Sequence, residues 1–382
     1  MSRPKIVIDA HIPFIKGALE PFAEVVYLPG REIGAGDVRD ADALVVRTRT
    51  RCDRELLEGS SVKFIATATI GYDHIDVPWC EANGISWTNA PGCNSSSVEQ
   101  YMVSALLHLV RHHRVEPGGA TLGIIGVGHV GRKVRRVAEA LGMKVLCNDP
   151  PRERAEGPGD FTGLEELLRR SGIVTLHVPL VREGPDKTLG MADREFLATM
   201  QKGAWLINTS RGEVVDDEAL KSALANGRLS GAVLDVYNNE PAPDSGLLKE
   251  ATITTPHIAG YSTDGKANGT KMSVRAVSDF FGLGAGDWEP ENIPVPGEPV
   301  IHADGAEHDS AGFLAEVYQH TYDITVDDEA LREQPGRFEA LRGEYRTRRE
   351  PPAYAVRLYN DDGVYRRLLE QLRFQVLGDF CL

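Results

Sequence analysis

Short apolar runs of strand length alternate with longer mixed stretches along the first 95 residues of the chain. These runs lie at residues 5–9, 43–46, 64–68 and 85–88. Strands of a parallel sheet read as continuous apolar runs, because helices cover both faces of the sheet. The pattern therefore predicts an α/β lobe with a parallel sheet over residues 1–95, with a helix-sized segment between successive strands.

A turn at residues 89–92 and a long helical stretch follow this lobe. Ser96 and Glu99 have the spacing of a capping box, in which two side chains satisfy the first amides of a helix. The spacing predicts a helix from Ser96 to about His113. We interpret this helix as a hinge between two lobes.

A second set of apolar runs begins near residue 120 and predicts another parallel α/β unit. The predicted strands are residues 121–125, 144–147, 173–177, 204–208 and 232–236. Helices are predicted at residues 130–141, 217–225 and around 271–281; the first two end at a glycine or an Asn-Gly pair.

The composition changes after residue 281. Residues 282–299 repeat glycine and proline without periodicity, which predicts a linker. The remaining residues predict a small α+β domain. Its predicted helices lie around residues 311–320, 338–348 and up to 372, and its strands at 354–358 and 374–377.

The chain has 382 residues, of which 42 are basic and 56 acidic, and its formal net charge is −14. This balance argues against nucleic acid and anionic membranes as partners. Charged residues interrupt the N-terminal apolar runs, so no signal peptide is expected, and no stretch reaches the roughly 20 apolar residues of a membrane span. Five scattered cysteines without a C-x-x-C pair indicate a reducing compartment and no structural metal site. We therefore expect a cytoplasmic protein.

A glycine motif directly follows the predicted strand at residues 121–125 and begins the next helix. The motif consists of Gly126, Val127, Gly128, His129, Val130 and Gly131. Its glycines allow a tight turn, close approach of the backbone to a pyrophosphate, and close packing of helix and strand. Asp149 ends the next strand, where a carboxylate accepts hydrogen bonds from the adenosine ribose and repels a 2′-phosphate. The motif therefore predicts an NAD site.

Three polar residues each follow a predicted strand of the same unit. They are Arg211, Glu240 and His257. Because the carboxyl ends of parallel strands face one crevice, we expect them to converge beside the nicotinamide. A histidine is suited to take the hydroxyl proton while carbon loses hydride, a carboxylate orients it, and an arginine binds a carboxylate and polarises the developing carbonyl. The three residues are predicted to be catalytic.

With the glycine motif, three further motifs occur in order: Asn208-x-x-Arg211-Gly-x-x-Val-Asp, Asp235-Val-x-x-x-Glu240-Pro and His257-Ile-Ala-Gly260. The first 282 residues thereby resemble the D-isomer-specific 2-hydroxyacid dehydrogenases. The resemblance implies two Rossmann-like or flavodoxin-like lobes: a substrate-binding lobe, residues 1–95 completed by about 261–285, and an NAD-binding domain, residues 96–260. It also implies that Thr209, Asp235 and Gly260 contact the cofactor.

A basic cluster and a donor-rich loop indicate the substrate class. Arg47, Arg49 and Arg51 alternate along a segment that we expect to be extended, so that they lie on one side of it. Residues 67–74 form a loop rich in hydroxyl and backbone donors. In an acidic protein, this combination suits a phosphorylated carboxylic acid, and Arg47 stands nearest to the end of the strand.

A closer resemblance is to the members of this family that act on 4-phospho-D-erythronate in pyridoxine 5′-phosphate synthesis. It rests on residues 46–48, 67–74, 90–94, 148–151, 257–266 and 342–350. It implies oxidation to 2-oxo-3-hydroxy-4-phosphobutanoate with reduction of NAD. It further implies that Thr48, Thr69 and Tyr261 bind substrate, and that residues 286–382 form a dimerisation domain of a homodimer.

Other functions remain open at this point. A 3-phosphoglycerate dehydrogenase shares the motifs and has a phosphorylated substrate, and the C-terminal residues discriminate only weakly against it. An NAD-dependent formate dehydrogenase fits less well, because glutamine usually partners the histidine there and this chain has Glu240. A non-catalytic NAD-sensing protein with the same fold has no need for the three predicted catalytic residues.

Overall fold

The computed structural model describes residues 3–306, 309–361 and 363–377, so Cys381 and the end of the predicted dimerisation domain lie outside the described residues. The chain divides into two compact units. The first combines Met1–Asn94 with Ser262–Pro294, and the second combines Ser95–Tyr261 with Val295–Leu382. None of the helices along the described residues has both the length and the apolar character that crossing a membrane requires.

The first unit contains a parallel five-stranded sheet in the order β2-β1-β3-β4-β5. Its elements are β1 (Lys5–Asp9), β2 (Glu24–Leu28), β3 (Ala43–Val46), α1 (Arg54–Leu57), β4 (Phe64–Thr67), α2 (Val77–Ala82) and β5 (Ser86–Thr88). The four predicted strands are present. The edge strand β2, which is partly buried, was not predicted. The helix-sized segment predicted between residues 9 and 43 contains no helix in the structure.

The second unit begins with a parallel six-stranded sheet in the order β11-β10-β9-β8-β6-β7. The elements are α3 (Ser95–His113), β6 (Thr121–Ile125), α4 (His129–Ala140), β7 (Lys144–Asn148), α5 (Pro150–Glu156), α6 (Leu164–Arg170), β8 (Ile173–Leu176), α7 (Arg194–Thr199), β9 (Ala204–Asn208), α8 (Asp217–Ala225), β10 (Leu229–Leu234), α9 (Ser245–Glu250) and β11 (Ile253–Thr254). A parallel bridge between Cys147 and Phe161 continues the sheet beyond β7. With that bridge, the order is that of a Rossmann sheet, whose strand order reverses between β6 and β8. The predicted fold class is confirmed.

Aspartates begin many of these helices, because a carboxylate satisfies amides that have no partner inside the helix. The capping box predicted at Ser96 and Glu99 is wrong, since α3 begins at Ser95 and both residues lie inside the helix. The Ser96 hydroxyl instead accepts hydrogen bonds from Lys133 and Arg373, and Glu99 forms an ion pair with Arg136. The helix N-terminus is thus held by basic side chains.

After the second sheet, the chain returns to the first unit through α10 (Thr263–Phe281), which ends at Gly282 in the left-handed conformation. Val274 and Val277 of α10 pack in one core with Ile6 and Ile8 of β1. The predicted helix at 271–281 is therefore longer than expected and starts at Thr263.

Residues 295–377, the C-terminal segment, belong to the second unit. The elements are β12 (Val300–Asp304), α11 (Ser310–Thr321), α12 (Ile324–Glu333), α13 (Phe338–Gly343), β13 (Ala355–Tyr359), α14 (Val364–Gln371) and β14 (Gln375–Leu377). Its three strands form a parallel sheet in the order β12-β13-β14. The sequence missed β12 and α12, and the helix predicted at 338–348 ends at Gly343. Side chains of α11 and of α3 share one buried core.

Candidate active site

Three neighbouring parallel strands of the second sheet, β9, β10 and β11, each lead into a loop that carries predicted site residues. Arg211 follows β9, Asp235 and Glu240 follow β10, and His257 follows β11. These loops therefore lie at the same edge of the sheet, as the sequence predicts.

His257 and Glu240 form a hydrogen-bonded pair. The distance between His257 Nδ1 and Glu240 Oε2 is 2.7 Å, and the other carboxylate oxygen accepts from the Tyr237 amide at 3.1 Å. Burial acts to raise the pKa of Glu240, but the hydrogen bond and charge of His257, the Tyr237 amide and the charge of Arg342 together outweigh it, so the pKa is lowered. Glu240 is thus ionised at neutral pH and holds the histidine by Nδ1, which leaves Nε2 to do chemistry.

The loop that bears His257 is fastened by a buried carboxylate. Asp235 accepts hydrogen bonds from the amide of Ile258 at 2.7 Å and of Ala259 at 2.9 Å, and from the Thr255 hydroxyl at 2.7 Å. Burial raises the pKa of Asp235 to about 6, against the lowering effect of His257 and of these hydrogen bonds. Both Asp235 oxygens therefore accept hydrogen bonds from this loop. The contact of Asp235 with NAD stays a prediction.

His257 itself has a φ of 56°, in the left-handed region that a side chain other than glycine rarely adopts. The opposite side of its loop contacts α3, where the Ser97 hydroxyl donates to the Ala259 carbonyl at 2.8 Å. Such a conformation persists only where its surroundings fix it. The hydrogen bonds to Asp235 and Ser97 provide that fixation.

Arg211 lies in a turn that Asn208 closes. The Asn208 side chain donates to the Arg211 carbonyl at 2.9 Å and accepts from the Ser210 amide and hydroxyl. A side chain at Gly212 would bring its Cβ within 1.9 Å of the Tyr237 backbone, so only glycine allows this turn to pack against the loop that carries Glu240. The predicted arginine is thereby placed on a loop next to the predicted pair.

The glycine motif has the geometry that a dinucleotide requires. Gly131 packs so closely on the preceding turn that a Cβ would stand 2.2 Å from the Gly126 carbonyl, whereas nothing lies within 4 Å of a Cβ at Gly128. Gly128 is the N-cap residue of α4, and it offers no side chain to the first amides of that helix. These amides belong to His129 and Val130. Open space beside a helix N-terminus fits a pyrophosphate. The motif residues therefore fit NAD.

Asp149 and Thr209 lie at strand ends around this motif. The Asp149 carboxylate accepts from the Val127 amide at 2.8 Å and from the Arg152 amide at 3.2 Å, which ties β7 to the glycine turn. The Thr209 hydroxyl contacts His177 Nδ1 at 3.2 Å. His177 was missed by sequence reasoning, although its place directly after β8 is a signal that it could belong to the site.

Arg47, Thr48 and Thr69 belong to the first unit, whereas Gly260 and Tyr261 belong to the second. The expectation that Arg47, Arg49 and Arg51 share one side of an extended segment is wrong, because β3 ends at Val46 and residues 48–50 turn. The Thr50 amide donates to the Arg47 carbonyl at 3.2 Å. The side chains of Arg49 and Arg51 consequently do not line up with Arg47.

Arg47 is held by a buried acid that sequence reasoning missed. Its Nε lies 3.7 Å from Asp9 Oδ2, and Asp9 is 1% exposed. Thr69, at the end of the adjacent strand β4, donates to the Gly71 carbonyl at 2.9 Å and contacts Thr67. Thr48 is exposed. One arginine and two hydroxyl groups thus follow neighbouring strands of the first sheet. This arrangement of donors is suited to binding an anion.

In the part of the chain that the structure describes, no three or more His, Cys, Asp or Glu side chains are grouped so that they could hold a metal ion.

Comparison with known proteins agrees with this architecture. Residues 101–259 match the family described as "D-isomer specific 2-hydroxyacid dehydrogenase, NAD binding domain", and residues 299–372 match a domain of unknown function, DUF3410. The chain is 49% identical over 354 residues to an erythronate-4-phosphate dehydrogenase of Bacteroides fragilis, which covers 92% of this chain and 99% of that protein. It is 41% identical over 376 residues to a protein of the same name from Escherichia coli, with 98% of each chain covered.

Solved structures of the same fold contain NAD. A 3-phosphoglycerate dehydrogenase of Entamoeba histolytica with bound NAD+ is 27% identical, with a TM-score of 0.63, and covers 77% of this chain and 100% of its own. A D-lactate dehydrogenase of Aquifex aeolicus, complexed with NAD and lactic acid, is 30% identical, with a TM-score of 0.62, and covers 73% of this chain and 95% of its own. The predicted cofactor, NAD, is confirmed.

Proposed function

Because the chain belongs to the erythronate-4-phosphate dehydrogenases, we propose that it oxidises 4-phospho-D-erythronate to 2-oxo-3-hydroxy-4-phosphobutanoate. Like its relatives, it is an NAD-dependent enzyme of the 2-hydroxyacid dehydrogenase class. In the reaction, C2 of the substrate loses a hydride and its hydroxyl group loses a proton. NAD, when bound, accepts the hydride. The observation that carries the proposal is the 2.7 Å hydrogen bond between His257 and Glu240 at the carboxyl edge of the second sheet.

His257 acts as the base in this proposal. Its Nδ1 is held by Glu240 at 2.7 Å, so Nε2 is the nitrogen that takes the hydroxyl proton during oxidation and returns it during reduction. The carboxylate fixes the orientation and tautomer of the ring and stabilises the imidazolium that forms. Because the pKa of Glu240 is lowered, this carboxylate is charged when the proton arrives.

Arg211 binds the substrate through its guanidinium group. A planar guanidinium pairs with a carboxylate through two parallel hydrogen bonds, and its positive charge stabilises the oxygen on which negative charge develops. We therefore assign Arg211 to the substrate carboxylate and to the carbonyl oxygen that forms at C2. Thr209, Asp235 and Gly260 are proposed to contact the cofactor from the same strand ends.

In the first unit, Arg47, Thr48 and Thr69 are proposed to bind substrate, with Tyr261 of the second unit as a fourth contact. Arg47 is the group suited to a phosphate, because arginine remains charged at every physiological pH. The buried Asp9 carboxylate, 3.7 Å from Arg47 Nε, limits the directions in which this side chain points. We further propose a cytoplasmic homodimer, formed through the C-terminal segment, that acts in pyridoxine 5′-phosphate synthesis.

The second candidate substrate is 3-phospho-D-glycerate, since a solved 3-phosphoglycerate dehydrogenase shares the fold at 27% identity. The relatives that cover nearly the whole chain favour the erythronate ester instead. Initial rates of NADH formation from the two esters, measured at equal concentration with and without a 2-oxo acid that reoxidises bound NADH, decide between them. A preference for glycerate would overturn the proposed substrate and keep the reaction type. Activity with neither would favour the non-catalytic NAD-sensing function.

The role of His257 is tested in the same assay with His257→Ala and, as a control, His112→Ala at the exposed end of α3. His257→Ala should reduce turnover by about 10³-fold or more, as expected when an essential base is removed. NADH affinity, measured by fluorescence titration, should stay within a factor of about three in both variants. Equal losses of NADH affinity and turnover in His257→Ala would contradict the assigned role.

A further inference from the structure

The C-terminal segment contacts the loops that carry the predicted catalytic residues of its own chain. In α12, the Asp328 carboxylate accepts from the amide of Thr254 at 2.7 Å and from its hydroxyl at 2.9 Å, immediately before the His257 loop. In α13, the buried Phe338 ring packs edge-on against Tyr237 with centroids 6.0 Å apart. Tyr237 in turn donates its amide to Glu240. Helix α13 is therefore fixed against the Glu240 loop.

Arg342, in the last turn of α13, extends from this anchored helix to two site residues. Its Nε donates to the Tyr261 hydroxyl at 2.7 Å, and its guanidinium lies over the Tyr261 ring, 5.4 Å from the centroid. Its Nη1 lies 4.0 Å from Glu240 Oε2, the same oxygen that His257 contacts. One guanidinium group thus joins the acid of the catalytic pair to a predicted substrate-binding residue.

We propose that Arg342 is a positioning residue for the dehydrogenase reaction: it fixes Tyr261 and places a positive charge beside Glu240 from within the same chain. The proposal rests on the proposed function, because it gives Glu240 and His257 their catalytic roles. It assigns the C-terminal segment a part in catalysis that is separate from any role in dimer formation.

The side chain is suited to this position. Its exposed fraction is 19%, and that of Glu240 is 20%, so water screens their interaction only in part. The fork of an arginine allows one nitrogen to donate to Tyr261 while another faces the carboxylate. A lysine at this position has only one nitrogen and cannot serve both neighbours with the same geometry.

The charge environment of Glu240 predicts the effect on pH dependence. Among the described residues, His257 and Arg342 are basic groups whose charges lower the pKa of this carboxylate, and Tyr237 contributes its amide and a phenol that stays neutral. Asp235 is a second buried carboxylate near the histidine, and the charge of His257 lowers its pKa. Removing the positive charge of Arg342 makes proton uptake by the Glu240–His257 pair easier. The acid limb of the pH–rate profile is the range in which activity falls because this pair becomes protonated. It should therefore move to higher pH.

The test uses the full-length enzyme with three variants, Arg342→Met, Arg342→Lys and, as a matched control, Arg337→Met. Arg337 lies five positions earlier, is exposed and pairs with Glu344 at 3.6 Å. For each variant, kcat and kcat/KM are measured from about pH 5 to pH 10, a range that spans the titration of histidine. NADH affinity and thermal midpoint are measured on the same preparations.

Arg342→Met should lower kcat about tenfold and shift the acid limb upward by about half to one pH unit, sizes typical of one partly screened charge. Arg342→Lys should restore the acid limb, because the charge is present, and recover kcat only in part. NADH affinity and thermal midpoint should be unchanged, and Arg337→Met should match the wild type. An unchanged acid limb in Arg342→Met would overturn the proposal, as would a loss of NADH affinity and thermal stability that accompanies the loss of kcat.

Failure of the proposed function gives a different result. If the wild type does not oxidise 4-phospho-D-erythronate, the substrate assignment fails before any variant is compared. The Arg342 series is then run with the 2-hydroxy acid that the wild type does oxidise, since the pair and its neighbours are the same for any such substrate. A wild type that oxidises no 2-hydroxy acid would overturn both proposals.

Discussion

Replacing Glu240 by glutamine changes one atom of the catalytic pair and tests its role directly. The carboxylate uses both oxygens as acceptors, one for the Tyr237 amide at 3.1 Å and the other for His257 Nδ1 at 2.7 Å. Glutamine keeps one acceptor and turns the other into an N–H donor. The side chain then has two orientations, and each satisfies only one of the two neighbours in its native form.

In the first orientation, the amide oxygen accepts from Tyr237 and the amide N–H points at His257 Nδ1. This nitrogen must then be an acceptor, so the ring proton moves to Nε2, which is no longer able to act as a base. In the second orientation, the ring keeps its active tautomer, but two N–H groups face each other at Tyr237. Leaving a partly buried donor without an acceptor costs about 1–3 kcal/mol, which populates the active form roughly 5- to 150-fold less.

The lost negative charge adds to this effect. A hydrogen bond to a charged group contributes about 1.5–3 kcal/mol, and here it stabilises the imidazolium that forms as the hydroxyl proton is taken up. The two effects together predict that Glu240→Gln lowers kcat/KM by roughly 10²- to 10⁴-fold, since about 1.4 kcal/mol corresponds to a factor of ten.

The assay is NADH formation in the pH range where the wild type is most active, with NADH affinity measured separately. Glu250→Gln, at the exposed end of α9, is the matched control and should keep full activity. NADH affinity should be unchanged in both variants, because neither residue belongs to the glycine motif. A loss of less than about threefold in Glu240→Gln, which is below 1 kcal/mol, would refute the reasoning.

Three further predictions follow from buried polar groups and close packing. Asp235→Asn should lower kcat by about tenfold or more, because one amide of the His257 loop loses its acceptor. Asp193→Asn is the control and should be neutral, because a single Asp193 oxygen accepts both of the amide hydrogen bonds that this side chain receives, at 2.9 Å each. Urea unfolding and rate measurements compare the two variants. Burial lowers the pKa of His177 to about 3, so the native state binds fewer protons than the unfolded state and loses stability as pH falls from about 6.5. His177→Asn should reduce that slope by up to about 1.4 kcal/mol per pH unit in denaturant unfolding, and an unchanged slope would contradict the cause. Gly131→Ala should destabilise the protein, because the new Cβ meets a carbonyl at 2.2 Å. Gly128→Ala should unfold like the wild type and weaken NADH binding; equal thermal midpoints for the two variants would contradict the packing argument.

The part of the fold that could be predicted consists of elements whose pattern is local. Strands such as Thr121–Ile125 and Ala204–Asn208 are buried on both faces of the sheet. Because both faces are buried, nearly all of their residues are apolar, and the run can be recognised in the sequence. The edge strand β2 is only partly buried, and its pattern is correspondingly weak. The residues that follow central strands could be found for the same reason, because parallel strand ends bring them to one edge whatever the loops do.

The turn after β3 shows where local patterns fail. The alternation of Arg47, Arg49 and Arg51 reads as an extended segment, but the backbone turns immediately after Val46. The turn is favoured by a distant group: the Thr50 hydroxyl donates to the Gly30 carbonyl at 2.9 Å, and the Gly30 amide donates to Asp9 at 3.1 Å. No short window of sequence contains those partners.

The C-terminal segment extends this argument to the site itself. A single helix over residues 338–348 would place Arg342 and Tyr345 on one face, three residues apart. Because α13 ends at Gly343, the chain changes direction between them: Arg342 contacts Tyr261, 81 residues earlier in the chain, and the Tyr345 ring packs edge-on against the same tyrosine with centroids 6.2 Å apart. Beyond them, the buried Arg348 donates to the Ala259 carbonyl at 2.6 Å, inside the His257 loop. Three side chains of one short stretch thus contact the loop of the predicted base, and a substitution that continued the helix past Gly343 should disturb catalysis before it disturbs NAD binding.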